Sequence, residues 1–405
     1  MTRIDARLAR LFPAIPMLLC SPTAPAALLD FSAEERAAIV RHGPWPPPLT
    51  RDSSNRLSGS REAARFGKTL FFDARMSMRG GQSCASCHIR SRAWADGRAT
   101  ALGHDEIRRN SQSVLNARFN RWFGWSGASD SLWSASLRPL MDASEMGGAE
   151  RHIVALVRSR PDLSRAYAVA TGRPPTDDDE AVLADVGKAL AAFQETLVTR
   201  RTPFDEFRDA LARNDRRATA RYPAAAQRGV RLFIGKAQCN VCHFGATFSN
   251  GEFDKIGIPV RDAAGYFDWG RYDGIKALLA NRFNRLSRHS DDDAGATSTR
   301  HVALGPEAYG AFKVPGLRNV ALTAPYMHNG SLATLHDVVR HYSEITPEKL
   351  HIAASHSHSE PGEPLPPRPA ESPLRTLSLT PQEVDDLVAF LMTLTERQAD
   401  RARVR

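Results

Sequence analysis

Lysine is scarce in this 405-residue chain: seven of its 54 basic residues are lysine, which leaves 47 arginines and a formal charge of +9. Such a skew reflects coding composition more than function. The arginines are scattered among acids and form no basic stripe with interleaved aromatics, which argues against nucleic acid as a partner. A basic surface remains, suited to steering an acidic redox partner. Also missing is any uninterrupted apolar run near the ~18 residues that a membrane span requires. Strand signals are sparse. Cysteine is rare, with five in all. What is present, 42% hydrophobic and 24% charged residues, excludes collagen-like, coiled-coil and wholly disordered chains. The length suits two or three domains.

At the N-terminus, Arg3, Arg7 and Arg10 precede the apolar Leu11–Leu19 stretch, and Ala24-Pro25-Ala26 has the small-x-small form of a cleavage site. Residues 1–26 therefore read as a signal peptide, weakened by Asp5 and two prolines. Its removal takes Cys20 and leaves four cysteines.

Those four form two C-x-x-C-H motifs, Cys84-Ala85-Ser86-Cys87-His88 and Cys239-Asn240-Val241-Cys242-His243, the attachment signal for c-type haem. Two thiols one turn apart reach the two vinyl groups of one porphyrin, and the next residue carries an imidazole beneath the ring. A zinc ribbon needs its cysteine pairs far closer together, a thioredoxin-like pair needs a βαβ context, and disulfides do not require histidine at the same offset twice. Two covalent haems follow, and with them assembly outside the cytoplasm.

An internal echo supports two haem units. Ala64–Phe71 and Ala226–Phe233 share Ala, Gly, Leu and Phe at equal offsets, each shortly before a haem motif, as a helix feeding a haem loop. Val182, Leu183, Val186, Leu190 and Phe193 trace one apolar helical face, and Thr380-Pro381-Gln382-Glu383 opens a further helix with a capping box. Pro46–Pro48, Arg213–Arg221 and Pro361–Pro369 read as boundaries or exposed loops. The expected architecture is all-α, with a first haem domain over 27–205 and a second over 206–405.

The chain resembles the bacterial di-haem cytochrome c peroxidases, MauG-type enzymes included. Besides the haem motifs, the resemblance rests on Arg109-Asn110, Leu115-Asn116-Ala117, Glu145-Met146-Gly147, Phe312–Val320 and Leu322–Gly330. It implies one c-type haem per domain, a calcium ion between the domains and a peroxide-reactive iron at the first haem.

By position, the resemblance makes His88 and His243 proximal iron ligands and Glu145 the carboxylate that moves a proton between the peroxide oxygens. Trp125 becomes the inter-haem tryptophan. Asn110, with the carbonyls of Thr323 and Pro325, becomes the calcium set, hard oxygen donors for a hard cation. Two positions differ from the pattern. Ala135 replaces a distal glutamine, and His104 stands two residues closer to Arg109 than the family's distal histidine, so an iron ligand and a plain loop histidine both remain open there.

The second haem's sixth ligand is the discriminating position. The peroxidases place a methionine fourteen residues beyond the residue matching His328, whereas here that position is Tyr342, as in MauG-type enzymes. Leu335, Val338, Val339 and Tyr342 share one face of a helix capped by Thr334 and Asp337, and His341 points elsewhere. A thioether favours ferrous iron, a phenolate ferric and higher states. The expected protein is a periplasmic, peroxide-using di-haem oxidoreductase taking electrons from a small cytochrome or cupredoxin. The alternatives are a maturase oxidising tyrosine or tryptophan of a partner protein, and a non-enzymatic di-haem electron carrier.

Overall fold

The computed structural model describes residues 29–259, 266–292, 294–295, 297–345, 374 and 377–397. The expected signal peptide and the Pro361–Pro369 loop lie outside them. Among the described residues the helices are α1 (Ala33–Val40), α2 (Arg61–Phe72), α3 (Cys84–Cys87), α4 (Leu132–Met141), α5 (Glu150–Ser159), α6 (Pro161–Thr171), α7 (Asp179–Gln194), α8 (Pro203–Ala212), α9 (Arg216–Thr219), α10 (Ala224–Ile234), α11 (Arg271–Ala280), α12 (Leu335–Ser343) and α13 (Pro381–Met392). A two-residue antiparallel ladder joins β1 (Phe253–Asp254) to β2 (Phe312–Lys313). The helix-rich reading holds.

Two hydrophobic cores organise the chain. In the first, α2 packs on α7 beside α4, α5 and α6 around Phe66, Leu70, Trp133 and Leu190. In the second, α10 packs on α13 beside α8 and α12 around Phe204, Phe233, Phe248 and Phe390. The sequence echo falls on α2 and α10, and its shared glycine has one cause in both. A Cβ on Gly67 would meet the Ala189 carbonyl oxygen of α7 at 1.9 Å, and one on Gly229 the Asp386 oxygen of α13 at 1.9 Å. Only glycine lets the helix backbones approach that closely.

The cores do not divide the chain in one cut. Phe31 and Ile39, which precede the first core in sequence, pack into the second, while Phe283, which follows the second haem motif, packs into the first. Helix α7 departs from the one-faced pattern, being buried on every side from Val182 to Gln194. Its polar side chains are paired rather than hydrated: Lys188 lies 2.6 Å from Asp291, and Asp185 meets Arg56 at 2.6 Å and the Tyr167 hydroxyl at 2.6 Å. Pro46–Pro48 is no loose boundary either, because the neighbouring Trp45 is buried. Its indole N–H donates to the Thr199 carbonyl, and the Arg318 guanidinium sits 3.7 Å from the ring centre. Within Arg213–Arg221, α9 forms and Thr219 is buried, drawn in beside Tyr222, which stacks on Phe207 at 4.0 Å.

Candidate functional site

Each C-x-x-C-H motif closes one tight turn. The His88 amide donates to the Cys84 carbonyl and the His243 amide to the Cys239 carbonyl, both at 2.9 Å. At the second motif Cys239, Cys242 and His243 line one cavity. None of the four cysteines is in a disulfide. Burial pushes the thiols of Cys84 and Cys239 up to about 12 and those of Cys87 and Cys242 up to about 11, so they stay protonated in apolar surroundings.

The histidines are oriented alike. Nδ1 of His88 donates to the Trp94 carbonyl at 3.2 Å and Nδ1 of His243 to the Phe248 carbonyl at 2.9 Å, and both carbonyls belong to residues in the left-handed region, φ 60° and 56°. Burial holds both imidazoles below the usual histidine range, hence neutral. A neutral ring anchored through Nδ1 leaves Nε2 as the free donor, the arrangement of metal-ligating histidines. This cradle fits a covalently attached haem, and the chain builds it twice.

Between the cradles the backbone repeats itself. Asn116 and Asn319 are both left-handed, φ 61° and 62°. The Asn116 amide donates to the Leu197 carbonyl while its side chain accepts from the Thr199 amide; Asn319 does the same with Leu394 and Glu396. The two segments then interlock by exchange: the Asn110 amide donates to the His328 carbonyl at 2.7 Å, and the Lys313 amide to the Trp125 carbonyl at 2.8 Å. The offset relating Asn116 to Asn319 also relates Asn110 to Lys313, Trp125 to His328, the N-cap Ser131 of α4 to the N-cap Thr334 of α12, and Pro139 to Tyr342.

Around the first cradle, the Glu145 carboxylate forms an ion pair with Arg138 of α4 at 2.9 Å and acts electrostatically on Cys84, Cys87 and His88. The His104 amide donates to the Glu145 carbonyl at 3.2 Å, and its imidazole Nε2 is buried with no hydrogen-bond partner among the described residues. Gly147, at φ +89°, is required here, because a Cβ would meet the His104 ring at 2.7 Å. Glu145 and His104 thus belong to one packed loop system beside the His88 cradle. Ala135 lies on α4 against the first core, three residues before Arg138.

Around the second cradle lies a cavity of about 310 Å³, lined by Cys239, Cys242, His243, Asp254, Tyr342 and apolar side chains including Val338, Val339 and Leu387. Helix α12 starts on the anticipated Thr334–Asp337 capping box and brings Tyr342 to the same cavity as His243. His341 faces elsewhere, its Nε2 donating to the Ile256 carbonyl at 2.6 Å. Burial, with Cys239, Cys242 and Asp254 nearby, holds the Tyr342 phenol well above the ordinary tyrosine range. Trp125, Asn110, Thr323 and Pro325 also line this cavity, and the Trp125 indole N–H donates to the Asn110 carbonyl at 2.9 Å. Among the described residues no cluster of three or more His, Cys, Asp or Glu could hold a metal.

Sequence reasoning missed three residues that support these sites. Arg138 carries no motif; its only signal was its place one residue before Pro139. His42, far upstream, stacks on Phe248 at 4.6 Å behind the His243 anchor, and burial brings it down to about 4. Arg318 lay inside a recognised motif without a role. Its Nε donates to the Ala246 carbonyl at 2.6 Å and its fork grips Asp205 of α8 at 2.8 and 2.9 Å, clamping the second haem loop to the core.

Two pairs of unpaired, half-buried thiols, each followed by an anchored neutral imidazole, define a di-haem protein of the c type. Comparison identifies its kind. Residues 61–213 match the family model described as di-haem cytochrome c peroxidase. The chain is 31% identical over 366 residues to the cytochrome-c peroxidase IdrP1 of Denitromonas iodatirespirans, covering 87% of this chain and 86% of the relative. It is 31% identical over 382 residues to the methylamine utilization protein MauG of Methylorubrum extorquens, covering 94% and 90%. A solved MauG-like protein associated with microbial copper homeostasis superposes with a TM-score of 0.63 at 28% identity, covering 89% of this chain and 98% of that one. The chain belongs to the di-haem cytochrome c peroxidase family and is an oxidoreductase; membership implies two c-type haems.

Proposed function

We propose that the protein is a periplasmic peroxide-consuming oxidoreductase, with peroxide chemistry at the His88 site and oxidising equivalents held at a His243/Tyr342 site. The carrying observation is the internal register: Tyr342 lines the second haem cavity from α12, while the matching position on α4 is Pro139, which has no donor atom. His243 and Tyr342 would hold the second haem, while His88 would hold the first and Glu145 would serve it. When bound, the two haems supply iron that takes two oxidising equivalents from hydrogen peroxide.

The chain supplies the rest. Cys84 and Cys87, and Cys239 and Cys242, would tether the two haems, and His88 and His243 would hold their irons. Glu145 accepts a proton from one peroxide oxygen and returns it to the other, so that water leaves. Arg138 orients the carboxylate through their 2.9 Å ion pair. His104, with its unpartnered buried Nε2, is the candidate sixth ligand that closes the first site before activation. Asn110 and the carbonyls of Thr323 and Pro325 would hold calcium between the haem units, and Trp125 provides the π-system linking them. Covalent c-type haems are attached outside the cytoplasm, which supports the periplasm, and no described helix is long and apolar enough to cross a membrane.

The deciding experiment is resting-state electron paramagnetic resonance combined with peroxide titration of the purified protein without a donor. One open and one closed iron, with a peroxide-oxidised state that persists, supports the reading. Two closed irons that do not react, before or after one-electron reduction of the second haem, overturn it. Persistence for minutes would favour the maturase, with a partner protein's tyrosine or tryptophan as reductant. Rapid decay unless a small cytochrome or cupredoxin is added would favour the donor-dependent peroxidase.

A further inference from the structure

The second haem cavity contains a cation with no visible counter-charge. Lys313 lines it, is 6% exposed, and forms no ion pair among the described residues. The other cationic side chain on the lining, Arg318, is committed to Asp205, and burial keeps His328 neutral, down to about 4. The cavity's acid, Asp254, sits opposite Phe312 in the ladder while Lys313 sits opposite Phe253, so the carboxylate and the ammonium leave on opposite faces. Burial alone brings Lys313 down to about 8, with no carboxylate offsetting it. Stranding an ammonium in an apolar enclosure is unfavourable unless an anion joins it. Its symmetry mate is the neutral Asn110, so the charge serves one half of the molecule only.

We infer that Lys313 is the counter-charge for a propionate of the haem tethered by Cys239 and Cys242, and that it positions that haem and raises its reduction potential. The inference rests on the reading that those cysteines carry a haem, whose porphyrin brings two carboxylates into the cavity. A fixed positive charge beside the ring disfavours the more positive ferric state. Lys313 is a positioning residue; it touches no reacting atom.

The test uses the mature holoprotein, with intact mass counting haems before anything else is compared. A wild type one haem short would sink the two-haem reading itself. Given two haems, spectroelectrochemical titration of Lys313→Met should show the second haem's ferric-to-ferrous ratio raised about tenfold at a fixed potential, a lowering of about 59 mV for a one-electron couple. The first haem should stay within a factor of three and Lys313→Arg should restore the wild-type ratio. A ratio within twofold of wild type in Lys313→Met, or equal displacement in the Met and Arg variants, would overturn the inference. If Lys313→Met fails to retain the second haem, Lys313→Gln and Lys313→Arg decide. Loss with Gln but not Arg supports the charge, and loss in all three assigns a packing role instead.

Discussion

The two haem units share one construction and differ where chemistry begins. Both close a helix pair over a glycine, both anchor a histidine Nδ1 on a left-handed aromatic residue's carbonyl, and both lock an asparagine at φ near 60° onto the chain beyond the paired helix. They part on the helix following each locked asparagine. In the first unit α4 presents Arg138 to Glu145 and has Pro139 at the position matching Tyr342; in the second, α12 presents Tyr342 to the cavity and turns His341 to Ile256. Duplicated scaffolding thus carries different side chains beside its two C-x-x-C-H loops, and a few residues on one pair of helices make the difference.

The largest effect should come from separating the halves. Cys84→Ala should leave one covalent haem and abolish peroxide reactivity, whereas Cys239→Ala should leave one haem and a protein that still reacts with peroxide but stores less oxidation. Intact mass and stopped-flow spectra read both outcomes, and equal loss of peroxide reactivity would erase the division of labour. Next, Glu145→Gln should keep both haems and slow peroxide cleavage by roughly 10²–10⁴-fold, the scale for losing a positioned acid–base group. Pseudo-first-order peroxide kinetics check it, and a rate within a few-fold of wild type removes Glu145 from the mechanism.

A finer test exchanges Tyr342, the proposed ligand. Tyr342→Met should raise the second haem's potential and shorten the life of the peroxide-oxidised protein, because thioether ligation favours ferrous iron. Unchanged potential and decay would make Tyr342 a packed aromatic. The smallest change probes the scaffold. Gly67→Ala and Gly229→Ala each drive a methyl into a backbone carbonyl that no rotamer change relieves, and should each cost about 3 kcal/mol of stability in denaturant titrations. A loss in only one variant would show that the repeated helix pairs are not mechanically equivalent.

Much of this was legible in the sequence because it is local. The C-x-x-C-H turns, the capping boxes of α12 and α13 and the echo on α2 and α10 are written within a dozen residues of themselves. Tyr342 was placed by counting and the helix face followed from periodicity. What escaped depends on distant partners. Nothing near Lys188 announces Asp291, nothing near His42 announces Phe248, and Arg138 looks like any helix-surface arginine until the Glu145 loop folds back on it. The proline run was read as punctuation because a buried Trp45 beneath Arg318 cannot be inferred from neighbouring residues.

Helix α1 has a consequence for the order in which the molecule can be completed. Phe31 packs on Phe207 of α8, and Ile39 lies in the same core, so the earliest described segment is finished by partners made much later. As the chain emerges, most of the first core can assemble from α2–α7, with Phe283 added later, while α1 must wait for α8 and α10. Contacts of such sequence separation carry a loop-closure cost before they are rewarded and slow folding. The second haem unit should therefore mature last, and a protease cut between α1 and α2 should leave the first core intact while loosening the second.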